Sequence, residues 1–113
     1  MKRRMFTGLQ PSGILHIGNY LGALRPFVEL SRSGEFEHMF LCVVDYHALT
    51  TLKNGPELKK NIISAVADYV AAGVDPAKVI IFKQSDVPQH TELAWIFNCQ
   101  MTTAFLELGH AYK

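Results

Sequence analysis

The residues of this chain best suited to chemistry crowd into one stretch, FTGLQPSGILHIGNYLGAL, residues 6–24. Gln10, Ser12, His16 and Asn19 lie there among Gly8, Gly13, Gly18 and Gly22, with Pro11 in a turn. Glycines let backbone come close to a bulky polar ligand with no Cβ in the way. Asn19 and Tyr20 fall where a helix begins, and the open N–H groups and macrodipole of a helix start favour an anion. The chemistry this suggests is the holding of phosphate. Neither G-x-G-x-x-G nor G-x-x-x-x-G-K-[ST] is present, so the dinucleotide and P-loop arrangements fail on spacing.

Such a loop needs a strand before it and a helix behind it. RMFTG reads as a short first strand stopping at Gly8, and Leu21, Leu24, Val28 and Leu30 mark a helix over about 19–32. Pro26 sits inside that helix, where a missing backbone donor predicts a kink. MFLCVVD, residues 39–45, is a near-continuous apolar run, as expected of a strand buried on both faces of a parallel sheet. A second helix starts near Pro56, carries Leu58, Ile62, Val66 and Tyr69 at helical spacing, and ends near Gly73. KVIIF reads as a third buried strand. A third helix is predicted over about 89–108, with Leu93, Ile96, Phe97 and Met101 on its apolar side and Trp95 in the core. This β-α-β-α-β-α order predicts an α/β fold, the N-terminal half of a doubly wound Rossmann-like parallel sheet with right-handed crossovers. In such a sheet the first strand is central, so alone it would leave an open apolar edge. That predicts either a covering partner or a longer protein, and the longer protein is favoured.

Composition narrows the function classes. The chain has 113 residues, enough for one domain, and 49% hydrophobic content suffices for a packed core. With Lys+Arg 11 against Asp+Glu 10, the net charge is +1, which argues against a dedicated nucleic-acid-binding module but not against part of an RNA-handling enzyme. No apolar run reaches the roughly 18 residues a membrane span needs. MKRRMF is basic, but Gly8, Gln10, Pro11 and Ser12 interrupt any signal-peptide core. Cys42 and Cys99 are far apart and fit neither a zinc spacing nor a disulfide framework. Both are expected to be buried free thiols in a reducing, cytoplasmic setting. No metal site is expected.

At His16-Ile17-Gly18-Asn19 the sequence resembles the class I aminoacyl-tRNA synthetases, whose first loop carries a His-Ile-Gly-His-like tetrapeptide; three of the four positions match. Gly18 to Gly22, as Gly-Asn-Tyr-x-Gly, resembles the tryptophanyl branch. TGLQPSG (7–13), VDYHALT (44–50), GVDPAK (73–78) and QSDVPQHTELAW (84–95) are similar to segments of that branch in the expected order.

The resemblance implies activation of L-tryptophan with ATP and Mg²⁺ to tryptophanyl-adenylate, then transfer to tRNA(Trp). No tightly bound cofactor is implied. It implies that residues 1–113 are the N-terminal portion of the catalytic, nucleotide-binding domain of a cytoplasmic homodimer, with the rest of that domain and the anticodon-binding domain outside this chain. His16, Asn19 and Gln10 are the catalytic residues so implied. Gln10, Pro11, Ser12, His16, Gly18 and Asn19 would line the ATP site, and Phe6, Gly8, Val44 and His47 the amino-acid pocket. For Phe6 and Val44 a plain core role is the competing expectation; for His47 it is a structural hydrogen bond with Asp45. Gln84 and His90 are weaker candidates for ligand contact. The lysine-rich loop that clamps pyrophosphate in the family, and the acidic residue that reads the indole N–H, would lie after Lys113. The 113 residues alone are therefore expected to have little or no activity. Three alternatives stand beside this: a tyrosyl-type synthetase, another nucleotidyltransferase of the superfamily, and a non-catalytic synthetase-like nucleotide-binding chain.

Overall fold

The computed structural model describes residues 3–11 and 13–109. Three parallel strands, β1 (Arg3–Leu9), β2 (Phe36–Val43) and β3 (Val79–Lys83), form a sheet in the order β1-β2-β3. Each strand thus lies beside its predecessor, as the first half of a doubly wound sheet requires. The register puts Gly8 opposite Cys42 and Cys42 opposite Phe82, while Phe6 faces Phe40 and Phe40 faces Ile80.

Between β1 and β2 the chain is helical in three pieces: α1 (Ile17–Asn19), a π-helical segment (Tyr20–Leu24) and α2 (Arg25–Ser33). Pro26 accounts for the change of pitch. It has no N–H to give, and just before it the Arg25 N–H reaches five residues back to the Tyr20 carbonyl. The expected kink is realised as this widened turn. α2 stops at Gly34, whose φ of 74° is in the left-handed region that favours glycine.

After β2 come α3 (Asp45–Ala48) and α4 (Gly55–Ala71). The α4 start is capped by Asn54 Oδ1, which accepts from the Glu57 N–H at 3.3 Å, with Pro56 in the first turn. After β3 come a 3₁₀ turn (Gln84–Asp86), α5 (Gln89–Asn98) and α6 (Thr103–Leu106). The single helix expected over 89–108 is therefore broken: Gln100 and Met101 interrupt it, and Thr102 caps a new start by accepting from the Phe105 N–H.

Pleat alternation divides the sheet into two unlike faces. On one face Met39, Leu41 and Val43 of β2 are buried in a single cluster with Leu24, Phe27 and Val28 of the first crossover and Ala65 and Tyr69 of α4, with Val74 and Val79 closing the core. On the opposite face Phe6 is 61% and Ile80 50% exposed. β3 is thus covered on one side only, where burial on both was expected. α5 buries no residue, and Trp95, expected in the core, is 71% exposed. Cys42 is buried as expected, but Cys99, following α5, is exposed; neither forms a disulfide. Among the described residues no helix is long and apolar enough to cross a membrane.

Candidate active site

Parallel strands bring all three carboxyl ends to one edge of the sheet, and the loops leaving that edge carry most of the residues singled out in the sequence. A cavity of about 740 Å³ lies at the opposite edge, lined by Glu37, His38 and Lys78 among others, and is remote from them.

The loop after β1 is organised by its own side chains. Gly13 has φ 124°, a conformation that a side chain would strain. His16 and Asn19 then cap α1 reciprocally: His16 Nδ1 accepts from the Gly18 N–H at 3.1 Å, and Asn19 Oδ1 accepts from the His16 N–H at 3.2 Å. This fixes what each group offers outward. With Nδ1 accepting, the neutral imidazole carries its hydrogen on Nε2, and with Oδ1 accepting, the Asn19 amide offers its N–H₂. Each side chain thus keeps a donor that the cap does not use, the polarity an anion needs. Gly18 is required for this: a Cβ there would stand 2.9 Å from His16 Cε1 and 3.0 Å from Nδ1. Gln10 is exposed beside the loop, whereas Pro11 is fully buried. Ser12 lies outside the described residues.

The residues expected in an amino-acid pocket occupy the strand ends. A Cβ on Gly8 would meet Val44 Cγ1 at 3.0 Å, so the missing side chain is what seats Val44 against β1. Val44 also continues the ladder, donating its N–H to the Leu9 carbonyl at 3.0 Å. On the same sheet face the Phe6 and Phe82 rings approach to 6.2 Å between centroids, tilted by 59°. Phe6 thus stands at the surface of the described residues. Beside it burial pushes the Cys42 thiol up from its ordinary value, and the charges of Asp45 and Asp86 add to this, which makes it a poor nucleophile.

His47 and Asp45 do not bond to each other as considered from the sequence; both turn to the end of β3. His47 Nδ1 meets Gln84 Oε1 at 3.4 Å. Asp45, 6% exposed, accepts at Oδ1 from the N–H groups of Tyr46 (3.1 Å) and Ser85 (3.0 Å), and at Oδ2 from the Ser85 hydroxyl (2.5 Å). Lys83 Nζ donates to Ser85 Oγ at 3.3 Å and pairs with Asp86 at 2.8 Å. The hydrogen bond that Lys83 donates to Asp86 raises the Lys83 pKa, and the same bond holds the Asp86 carboxyl below its ordinary value. Ser85 and Lys83 were not singled out in the sequence. The available signal was Asp45 itself, a carboxylate at the end of an apolar strand that must find donors when buried. His90 sits exposed on α5. Among the described residues no group of three or more His, Cys, Asp or Glu side chains is placed to hold a metal ion.

A site of this kind needs no protein nucleophile to be useful. Donors on one loop can neutralise charge developing on a phosphate, while the strand ends beside it hold a second, partly apolar reactant in place.

The family model described as class I tRNA synthetases (W and Y) matches residues 1–108. The chain is 49% identical over 111 residues to the tryptophan–tRNA ligase of Fusobacterium nucleatum, covering 98% of this chain and 33% of that protein. It is 54% identical over 107 residues to that of Caldanaerobacter subterraneus, covering 95% and 31%. Among solved structures, the tryptophanyl-tRNA synthetase of Campylobacter jejuni complexed with ADP and tryptophan superposes with a TM-score of 0.84 at 41% identity, over 96% of this chain and 33% of that one. The chain spans about a third of the length of the curated relatives it matches.

Proposed function

Because the chain belongs to the class I tRNA synthetase family of the tryptophan and tyrosine enzymes, we propose that it forms one part of a site where tryptophan is activated with ATP and then passed to tRNA(Trp). Residues 1–113 act as the N-terminal portion of the catalytic domain. In the first step the tryptophan carboxylate attacks the α-phosphate, the Pα–O bond to pyrophosphate breaks, and tryptophanyl-adenylate forms. In the second, a tRNA hydroxyl takes the aminoacyl group and AMP leaves. The attacking oxygens belong to the substrates, so the task of the protein is placement and charge stabilisation.

The observation that carries this reading is the reciprocal cap of His16 and Asn19, which leaves an imidazole Nε2–H and an amide N–H₂ as unused donors in a glycine-rich loop. These groups donate to phosphate oxygens as charge builds. Gln10 works beside them at the carboxylate or the α-phosphate, and the loop backbone at Pro11, Ser12 and Gly18 admits the nucleotide. Mg²⁺ enters on the phosphates of ATP as part of the substrate. Phe6, Gly8, Val44 and His47 form the near side of the tryptophan pocket. Two free thiols, one of them exposed, suit a cytoplasmic setting. A homodimer of the full-length enzyme belongs to the same proposal.

Amino-acid-dependent ATP–pyrophosphate exchange by the full-length protein is the test. Tryptophan should drive exchange; exchange driven by tyrosine would sink the substrate assignment, and none with either would sink the activity.

A further inference from the structure

Asp45 is the one buried charged side chain among the described residues, and the mechanism above makes no use of it. A carboxylate taken out of water is costly unless its oxygens are satisfied. Here they are, by three donors, two of which belong to Ser85, 40 positions along the chain. The first turn of α3 does not require this. A residue serving α3 alone would bond only locally, as Asp45 does to the Tyr46 N–H. The remaining bonds run from the end of β2 to the end of β3. From there the chain of donors continues, Lys83 Nζ to Ser85 Oγ and Ser85 Oγ to Asp45 Oδ2, while the Lys83 N–H donates to Asp86 Oδ2 at 3.1 Å. Gln84 lies between these anchored neighbours, and its side chain meets His47, two residues after Asp45.

We propose that Asp45 is a positioning residue: its carboxylate clasps the Gln84–Asp86 turn to the head of α3 and so fixes the His47–Gln84 pair at the edge of the tryptophan pocket. This rests on the functional reading above. Without the clasp, the turn and the two side chains are ordered only when substrate binds, and that ordering is charged against affinity. ATP, held by the loop after β1, is not affected.

The experiment measures exchange kinetics on the full-length enzyme. Asp45→Ala should raise KM for tryptophan about tenfold, the scale of losing hydrogen bonds to a charged group, with KM for ATP and kcat each changed by less than about twofold. Asp45→Asn should restore much of the loss: its Oδ1 still accepts from both N–H groups and its N–H₂ can donate to Ser85 Oγ. In a His47→Ala/Gln84→Ala background, Asp45→Ala should add nothing further, since the pair it acts through is gone. Ser85→Ala, which keeps the backbone bond, should show a smaller rise confined to the same KM, and it serves if Asp45→Ala does not fold. Equal rises in both KM values, a fall in kcat alone, full additivity with the double variant, or no rise in Ser85→Ala would each overturn the clasp. Wild-type exchange driven only by tyrosine would overturn the substrate assignment; the same rise in KM read on tyrosine would then support the clasp, and its absence would overturn it. No exchange with either would overturn both.

Discussion

In the loop after β1, His16 bonds to Gly18 two residues on and to Asn19 three residues on; after β2, Asp45 reaches Ser85, 40 residues away. Both arrangements hold polar side chains at the same edge of the sheet. The first is assembled by a short run of chain and needs only its own glycines and caps. The second exists only once β2 and β3 lie side by side, with Val43 opposite Lys83. A site made of both kinds can therefore fail in two ways: by loss of a group from the loop, or by loss of the packing that aligns the strand ends.

The largest effect that would sharpen this contrast is His16→Ala. Removing the donor should lower kcat by about a hundredfold or more, as for other donors to developing charge, with KM for tryptophan little changed. An effect on that KM alone would erase the distinction between the two walls. Gly18→Ala comes next. Its Cβ cannot coexist with the imidazole at 2.9 Å, so kcat should fall at least about tenfold through displacement of His16, a penalty of more than about 1.4 kcal/mol on the barrier. The double variant with His16→Ala should be no slower than His16→Ala alone.

Smaller effects belong to stability. Tyr69 is fully buried and its hydroxyl has no partner among the described residues. Removing an unpaired hydroxyl without changing shape is neutral or stabilising, so Tyr69→Phe should raise the urea midpoint or leave it unchanged. Burial, with a contribution from the Asp68 charge, pushes this phenol up to about 12. The unfolded chain ionises near 10, so the tyrosine contributes stability below that pH and loses it as the pH climbs toward 12. Alkaline denaturation should be correspondingly shallower in Tyr69→Phe. The smallest effect is at the exposed Lys83–Asp86 pair. Because the folded Asp86 pKa is lowered, its contribution is present above the ordinary carboxylate value and lost as the pH falls below about 4. Asp86→Asn should remove that acid-side loss, as a slightly flatter unfolding curve.

What the sequence disclosed follows the same division. The strands, the parallel α/β architecture and the loop carrying His16, Gly18 and Asn19 were legible because apolar runs, caps and glycines act over a few residues. Asp45 was read beside His47, its neighbour in sequence, because nothing local tells which distant donors a buried carboxylate will meet. Pro26 announced a disturbed helix but not its form, since a missing donor can be met by a bend or by a wider turn. The α5 apolar residues looked like core, and their periodicity was real. Periodicity predicts that a face seeks cover, not that the described chain supplies it, and so Trp95 stands exposed.

The sheet order has a bearing on how the molecule comes into being. Among the described residues β2 joins β1, and β3 then joins β2, so for these three strands the order of pairing is the order in which a ribosome releases them. Each arriving strand finds its neighbour already made, and the sheet grows at one margin without threading between finished strands. The helical crossover that carries Leu24, Phe27 and Val28 emerges before β2 does, so the apolar side of Met39, Leu41 and Val43 has its cover waiting. Growth in step with translation shortens the time for which a slow, non-local parallel pairing leaves apolar surface open to misassembly.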